Sequence, residues 1–338
     1  MKLGIFLTNQ QYLDADMVSK FDDQITMLHA ARDRGWDSVM FGQHFLNEGN
    51  NQMLQIVPFL ARMAAEAGDM QLGLGILLLN LHNPVHTAET IATLDIICRG
   101  NFIFGIGLGY RDVEFDAFGV KKGERVKKFE AYLDVIKRLW TEDSVSFDSP
   151  ECKLDNVRMN IRPVQKPYPP IWIAANNDPA IRRAARLSDG WFINPHAAIE
   201  TIRRQVDVYN AELKRVGKPA PRELPIVKEV FCAKDRATAL ELAGPYLEGK
   251  YRDYAKWGQD KVMPDKDEDF NKPFEELSKG RFVLGSPEEC YEQLRPYWEE
   301  FGVNHLLIRT NWAGMPVYNS LSSMRLISDE LLPELRKI

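Results

Sequence analysis

The chain has 338 residues and a formal net charge of −5, with 45% hydrophobic and 27% charged residues. This composition is typical of a globular protein, and the acidic balance argues against a nucleic-acid-binding surface, which requires clustered excess Lys and Arg. No apolar run approaches the roughly 18 residues of a membrane span, and the N-terminal run is too short for a signal peptide. Four widely spaced cysteines without a Cys-x-x-Cys pair fit reduced thiols, so we expect a cytoplasmic protein.

Apolar runs of strand length alternate with helical patterns along the chain. Strands are predicted near residues 3–8, 37–42, 71–77, 102–107, 171–175, 189–193, 225–231 and 303–309. Helices are predicted near residues 17–34, 54–67, 84–98, 122–140, 179–187, 197–216, 235–248, 287–301 and 320–336. Strands alternating with helices in this way predict an α/β fold, a single (β/α)8 TIM barrel over residues 1–338. A doubly wound open sheet is the alternative.

Two segments interrupt this alternation and are predicted to be surface insertions. Residues 141–170 contain short β-like pieces and several prolines, which favour a hairpin. Residues 250–286 are rich in charge and in aromatic side chains, so they form either a lid over a site or a surface loop without a role. The charged stretch Asp265 to Asp269 is expected to stay hydrated at the rim. The aromatic residues that favour a lid are Tyr251, Tyr254, Trp257 and Phe270.

Residues 71–115 read as strand, helix and strand, with small residues where the strands end. Asn83 and Pro84 are predicted to be the N-cap and the first residue of the helix. Gly107 and Gly109 follow the second strand, where they permit either a tight turn or the close approach of a flat ligand. A dinucleotide-binding motif is excluded because its third glycine would fall at Tyr110.

Five runs of the chain resemble the bacterial luciferase-like family of flavin-dependent monooxygenases. They are KLGIFLTNQQ at the N-terminus, FGQHF at 41–45, the stretch 71–115, PPIWIAANNDPAIRRAARLSDGW at 169–191 and GSPEEC at 285–290. The resemblance implies a TIM barrel that binds reduced FMN noncovalently, supplied by a separate reductase, and uses O2 to oxygenate a small organic substrate. It also implies a homodimer. Leucines near the strand ends and the aromatic insertion favour an apolar substrate.

Two other functions fit the same fold. A deazaflavin-dependent oxidoreductase would transfer hydride instead of oxygen, but its phosphate-rich cofactor calls for a more basic mouth than this sequence offers. A flavin-binding protein without turnover is the second alternative, and the intact pattern of residues at the strand ends argues against it.

The resemblance implies that the flavin ring lies against the ends of the third and fourth strands. A non-prolyl cis peptide bond at Gly75-Ile76 would support the ring from behind. Arg111 would face either the flavin phosphate or an acidic neighbour, and the luciferases carry an arginine where this chain has Leu108. The backbone groups implied to contact the ring are those of Gly107, Leu108, Gly109 and Tyr110.

The turn after the fifth strand is implied to bind the flavin phosphate. Ala175, Asn176 and Asn177 precede a predicted helix with Pro179 at its first position, and a helix N-terminus attracts anions. The asparagines equally fit simple helix caps. Asp178 would repel a dianion, so its side chain is expected to point away.

His44 follows the second strand and is the catalytic candidate, with a structural role as the alternative. The luciferases have an acid and two histidines before the phenylalanine, whereas this chain has Gly42 and Gln43 in the first two places. Light emission from an aldehyde is therefore not expected, but His44 can still act on the oxygenated flavin or bind substrate. No metal site is expected, because Pro84 separates His82 from His86. The basic pairs at 121–122 and 127–128 are interpreted as a solvated helix face.

Overall fold

The computed structural model describes residues 1–264 and 269–338. Its strands are β1 (Lys2–Leu7), β2 (Gln10–Tyr12), β3 (Ser38–Phe41), β4 (Asn51–Met53), β5 (Gln71–Leu74), β6 (Leu77–Leu78), β7 (Phe102–Gly107), β8 (Val145–Asp148), β9 (Lys153–Val157), β10 (Ile171–Ala174), β11 (Gly190–Phe192), β12 (Pro225–Cys232), β13 (Val283–Gly285) and β14 (His305–Arg309).

The α-helices lie between these strands. They are α1 (Met17–Asp33), α2 (Ile56–Ala64), α3 (Pro84–Ile97), α4 (Asp112–Ala117), α5 (Arg125–Thr141), α6 (Asp178–Leu187), α7 (Ile199–Arg215), α8 (Arg236–Lys256), α9 (Phe274–Ser278), α10 (Pro287–Glu299), α11 (Val317–Leu326) and α12 (Leu332–Leu335). Three-residue 3-10 turns occur at Leu79–Leu81, Lys122–Glu124 and Asp260–Val262, and a π-helical turn at Ile327–Leu331 joins α11 to α12. None of the described helices combines the length and apolar character needed to cross a membrane.

The main sheet is parallel and curled. Its strand order is β11-β10-β7-β5-β3-β1-β14-β12-β13, with β6 paired to β7. The first strand thus pairs with both the second and the last strand of the βα alternation, which bends the sheet around one interior. Large apolar side chains fill this interior beneath the strand C-termini: Phe6, Met40, Ile103, Trp172, Phe192, Val227 and Leu307. The predicted α/β alternation with a parallel sheet is confirmed.

The two ends of the curled sheet also approach each other. Ile193, directly after β11, forms a parallel bridge with Ile226 of β12. The Ile193 N–H donates to Pro225 O at 3.0 Å, and the Val227 N–H donates to Ile193 O at 2.9 Å. The strand C-termini therefore surround a common space, which is where parallel α/β folds bind ligands.

The two predicted insertions have different outcomes. Residues 141–170 contain the antiparallel β8–β9 hairpin, as predicted. The segment 250–286 is not a separate insertion at its start, because α8 continues to Lys256, beyond the predicted end near 248. Gly249 resembles a helix end in sequence, but the helix continues beyond it and buries Lys250, Tyr251 and Tyr254. Residues 265–268 of the charged stretch lie outside the described residues.

Candidate active site

A cavity of about 240 Å³ opens at the C-terminal ends of the parallel strands. Its walls come from the residues that follow almost every strand of the alternation, together with α8 and the segment after it. Most sequence-predicted site residues lie in this lining. They are His44, Gly75, Ile76, Gly107, Leu108, Gly109, Tyr110, Ala175, Asn176 and Asn177. The structure thus brings together positions that are more than a hundred residues apart in sequence.

One side of the cavity, here called the glycine wall, is formed by Gly75, Ile76, Gly107, Leu108 and Gly109. The peptide bond Gly75-Ile76 is cis, as predicted. A Cβ atom on Gly107 would lie 2.6 Å from Ile76 Cδ1, and one on Gly75 would lie 2.7 Å from the Phe6 ring. Gly109 has a φ of +73°, which glycine adopts without strain. Side chains larger than hydrogen would fill this wall, so the glycines keep it flat.

The turn after β10, the strand next to β7, contributes a polar part of the cavity lining. Asn177 is the N-cap of α6, and its side chain accepts a hydrogen bond from Ala180 N at 3.1 Å. Asn176 Oδ1 accepts from Asn194 Nδ2 at 2.5 Å. The side chain of Asp178 is held by Arg204 at 2.8 Å, away from the cavity, as expected. Asp178 is the first helical residue and Pro179 the second, a correction of one position.

Two cations also line the cavity, and the sequence analysis assigned one of them to a solvated face. Lys122 and Arg125 both contribute to the lining that includes Asn177. Lys122 lies in a 3-10 turn instead of the predicted α-helix, and its Nζ contacts Asp112 Oδ1 at 2.6 Å. The Lys122 side chain is 45% exposed, so the solvated part of the interpretation is confirmed, but Lys122 does not lie on the α-helix. The helix begins only at Arg125, and the preceding turn directs these residues to the cavity.

His44 pairs with a buried carboxylate. Its Nδ1 atom lies 3.1 Å from Glu114 Oε1, and the same oxygen accepts from the Phe45 N–H at 2.8 Å. The Glu114 side chain is 1% exposed, and its Oε2 atom has no hydrogen-bond partner among the described residues. Because Nδ1 faces Glu114, Nε2 is the ring nitrogen available to a ligand. Tyr110 packs edge-on against His44, and burial raises the pKa of this tyrosine well above 10, so its hydroxyl stays protonated.

Arg111 is placed behind the cavity wall instead of at the mouth. Its side chain is 1% exposed and donates to the carbonyl oxygens of Phe45 at 2.6 Å and Leu46 at 3.0 Å. It also contacts Glu48 at 3.2 Å and Glu114 at 3.5 Å. Of the two alternatives from the sequence, the structure shows pairing with an acidic neighbour. These contacts occupy the guanidinium in holding the loop after β3.

A group of buried charges and their partners, here called the charged wall, reaches the cavity through Arg309 and His196. Glu229, Lys250 and Trp312 belong to the same group but lie behind the cavity lining. Glu229, fully buried on β12, pairs with Lys250 and accepts from Trp312 Nε1 at 2.6 Å. Burial opposes ionisation of Glu229, but Lys250 and Arg309 outweigh it and lower the pKa of this carboxyl. Burial, and then Arg309, lowers the pKa of Lys250 to about 7 despite the ion pair.

Aromatic residues of α8 and the following segment cover this wall. Tyr251, Tyr254, Trp257 and Phe270 are all buried. Tyr254 stacks on Trp257 with ring centroids 5.5 Å apart and contacts His196 at 5.2 Å. Tyr254, Gln259 and Val262 reach the cavity itself. The described part of 250–286 is therefore packed against the site.

The sequence analysis missed the charged wall, Glu114, Lys122 and Arg125. Glu229 and Arg309 lie near the C-terminal ends of predicted strands. A charged residue near the end of a buried parallel strand is the signal that could have identified them. Lys250 has no such signal, because it lies within a long helix whose buried face is not evident from the sequence.

Comparisons with known proteins agree with this geometry. The sequence profile of the luciferase-like monooxygenases matches residues 1–305. Protein y4wF of Sinorhizobium fredii is 25% identical over 98% of this chain and 96% of its own length.

Solved structures share the fold at lower sequence identity. The monooxygenase RslO1 from Streptomyces bottropensis has a TM-score of 0.86 at 23% identity, with 99% of each chain covered. The oxygenating constituent of 3,6-diketocamphane monooxygenase from Pseudomonas putida, in complex with FMN, has a TM-score of 0.81 at 19% identity and covers 99% of this chain and 98% of its own. An F420-dependent secondary alcohol dehydrogenase has a TM-score of 0.80 at 18% identity, with 99% of each chain covered. The family profile spans most of the chain, which therefore belongs to the luciferase-like monooxygenases, a family of flavin-dependent oxidoreductases.

Proposed function

We propose that this protein is an FMN-dependent monooxygenase that receives reduced flavin from a separate reductase and uses O2 to oxygenate a small organic substrate. The observation that carries the proposal is that one cavity contains both the flat glycine wall and the Asn177 helix N-terminus, which lies in the same lining as Lys122 and Arg125. The wall suits a planar ring, and the helix N-terminus suits a phosphate. Bound reduced FMN would supply the electrons that activate O2, which no side chain of the cavity can do.

The residues present fit such a cofactor. A Cβ on Gly107 would occupy the face of the cavity that the ring requires, so its absence leaves room for the ring. In the polar part of the lining, Asn177 begins α6, where free backbone N–H groups and the helix dipole favour an anion. Lys122 and Arg125 add two positive charges to this part. The terminal phosphate of FMN is the group that this combination would hold.

The remaining residues of the cavity would position a proton, bind the substrate and exclude water. His44, oriented by Glu114, would hold or move a proton at its Nε2 atom beside the reacting group. Tyr110, Tyr254 and Met53 would contact the substrate and exclude water. Val262 and Gln259 suggest that the segment after α8 acts as the lid over the ring. Arg111 would act only by holding the loop that carries His44.

The architecture and assembly form part of the same proposal. The bridge between Ile193 and Ile226 supports a complete (β/α)8 barrel as a single domain, with β13 outside the eightfold alternation. A homodimer and a cytoplasmic location with a reductase partner are proposed from the family resemblance.

A deazaflavin-dependent dehydrogenase is the second candidate, because an F420-dependent enzyme shares this fold. Its cofactor also has a planar ring and a phosphate, so the glycine wall alone does not discriminate. Lys122 and Arg125 make this part of the cavity more basic than the sequence indicated, which strengthens the candidate. FMN stays the first candidate because its chain ends at a single phosphate, which Lys122, Arg125 and the N-terminus of α6 would balance.

The phosphate assignment is tested by comparing FMN with riboflavin, which lacks the phosphate. The double variant Lys122→Met/Arg125→Met should lose about 10- to 100-fold in FMN affinity, because each hydrogen bond to a charged group contributes roughly 1.5–3 kcal/mol when well formed. Riboflavin affinity should not change. Lys121→Met, a neighbouring exposed lysine, is the matched control.

Titrations of all three proteins with both flavins give the outcome. Equal affinities of the parent for FMN and riboflavin would contradict a phosphate site. An equal loss for both flavins in the double variant would place Lys122 and Arg125 against another part of the ligand.

A further inference from the structure

Arg309 lies at the end of β14 and lines the cavity away from the Asn177 turn. Around the curled sheet, β11 and β12 separate β10 from β14 on the shorter side, so Arg309 and the Asn177 turn follow strands that are not neighbours. The Arg309 side chain is 11% exposed, and its guanidinium carbon lies 4.4 Å from the centre of the Phe6 ring. A nearly buried cation is therefore directed at the same space as the glycine wall.

The charge of Arg309 is incompletely balanced. Its nearest carboxylate contact is Nη1 to Glu229 Oε1 at 3.7 Å, longer than a hydrogen bond. Both oxygens of Glu229 are already engaged, one by Lys250 and the other by Trp312. The Arg309 Nε atom has no hydrogen-bond partner within the described residues. Two cations thus share one carboxylate, and Arg309, which also hydrogen-bonds Tyr254, keeps its Nε donor unpaired among the described residues.

The apolar residues around Arg309 strengthen the electrostatic effect of its charge. Phe6, Phe192 and Val227 form the adjacent lining, and apolar walls screen a charge weakly. A buried cation without a full partner is costly, and a ligand that supplied an anionic oxygen would remove that cost. A guanidinium also pairs with a carboxylate through two parallel N–H donors, which fixes the orientation of the ligand.

His196 adds a neutral polar group on the same side. Burial, followed by the charges of Lys250 and Arg309, lowers the pKa of His196 well below its ordinary value. The imidazole is therefore uncharged and can donate to or accept from a ligand without adding to the positive charge. Tyr254 lies between this histidine and Arg309, with its ring 5.2 Å from His196.

We propose that Arg309 binds an acidic oxygen group of the organic substrate, a carboxylate or an enolate, while Phe6, Met53 and Val262 contact its carbon body. The substrate class is thus an organic acid or an enolisable carbonyl compound with an apolar body. This inference rests on the proposed oxygenase function, because it places a substrate beside the flavin ring. It assigns to Arg309 a specificity role that is separate from the phosphate site at Asn177.

Two matched probes test the proposal on protein loaded with oxidised FMN. Benzoate and benzyl alcohol have the same ring and similar size, but only benzoate is an anion. The parent should bind benzoate at least about tenfold more tightly, since a hydrogen bond to a charged group is worth about this much or more. Arg309→Met should abolish the preference and leave benzyl alcohol affinity unchanged. Arg309→Lys should retain part of it, because the positive charge remains.

Arg325→Met is the matched control, since Arg325 is an exposed arginine on α11. Equal affinity of the parent for both probes overturns the proposal, as does unchanged benzoate affinity in Arg309→Met. A shift in the midpoint potential of bound FMN in Arg309→Met, without a change in benzoate affinity, would assign the cation to the flavin and also overturn it. The same titrations on flavin-free protein separate a failure to bind FMN, which contradicts the proposed function, from a failure of the Arg309 subsite.

Discussion

The glycine wall and the charged wall face the same cavity but are built on opposite principles. The glycine wall is flat because its glycines lack side chains. A Cβ atom on Gly107 would lie 2.6 Å from Ile76 Cδ1. The charged wall acts through added groups, with Glu229, Lys250 and Arg309 buried beside aromatic side chains. The first wall selects the shape of a ligand, and the second its charge.

The two walls also differ in how their stability is obtained. Glycine at a strand end loses some conformational entropy but leaves no group unsatisfied. Buried charges require every partner to be in place, because the loss of one leaves an uncompensated ion. Substitutions should therefore change ligand binding when they fall on the glycine wall. On the charged wall they should change both ligand binding and the pH dependence of folding.

The largest effect is expected at His44, which lines the same cavity. His44→Ala should lower product formed per reduced FMN consumed by about 100-fold, because a positioned proton donor or acceptor contributes roughly 10²–10⁴-fold. FMN affinity should stay close to that of the parent. Glu114→Gln should give a smaller loss and a shifted pH–rate profile, because it keeps the hydrogen bond to Phe45 N but changes how His44 is held.

The exposed His86 on α3 provides the control, and His86→Ala should behave like the parent. Product yield and oxygen consumption measured together decide the outcome. If His44→Ala couples oxygen use to product as well as the parent does, His44 is structural only.

A smaller effect is expected from a single methyl group on the glycine wall. Gly107→Ala should weaken FMN binding by about tenfold, since overpacking a close contact costs roughly 1–3 kcal/mol and would push Ile76 toward the ring. Gly123→Ala adds the same methyl group near the cavity, where no other atom lies within 4 Å. Flavin titration of both variants, with thermal unfolding as a check on folding, tests the wall. Equal FMN affinities for the two variants would remove its proposed role.

An effect on stability instead of ligand binding is expected from the charged wall, in the pH dependence of unfolding. Burial, then Arg309, lowers the pKa of Lys250 from 10.5 to about 7. Between these values the unfolded chain binds a proton that the folded protein does not. The contribution of Lys250 to stability is therefore lowest below about pH 7 and rises with pH up to about 10, by at most about 1.4 kcal/mol per pH unit.

Urea unfolding at pH 7 and pH 9 measures this contribution. Lys250→Met should reduce the rise in stability between the two pH values relative to the parent. Lys256→Met, an exposed lysine at the end of the same helix, should not. A parent–variant difference that is the same at both pH values would show that Lys250 keeps its proton in the folded protein.

The contrast between the walls also explains what the sequence could predict. The glycine wall lies within one continuous stretch and follows two apolar strands, so its glycines were predictable as strand ends. The cis bond at Gly75-Ile76 was predicted from the family resemblance instead. The turn at Asn177 was predictable for the same reason, since a strand end leads directly into a helix. The local sequence pattern is sufficient to predict where a strand ends and where the next helix begins.

The charged wall was missed because its members come from four distant segments, although Glu229 and Arg309 each lie near the end of a predicted strand. Lys250 follows Glu229 by 21 residues, and Arg309 lies 80 residues after Glu229 in the sequence. Lys250 lies in a helix that was predicted to end near residue 248, just before it. For Arg111, the sequence suggested a ligand contact that the structure does not show. Its position beside Gly109 indicated a ligand, but its guanidinium donates to the carbonyl oxygens of the loop after β3.

The most direct test of the account is an anaerobic titration with reduced FMN and, separately, with reduced coenzyme F420, each followed by exposure to O2. The account predicts that reduced FMN binds at least about tenfold more tightly, and that its oxidation by the protein oxygenates an added organic acid. Tighter binding of the reduced deazaflavin, with hydride transfer to a carbonyl substrate and no oxygen incorporated, would contradict it.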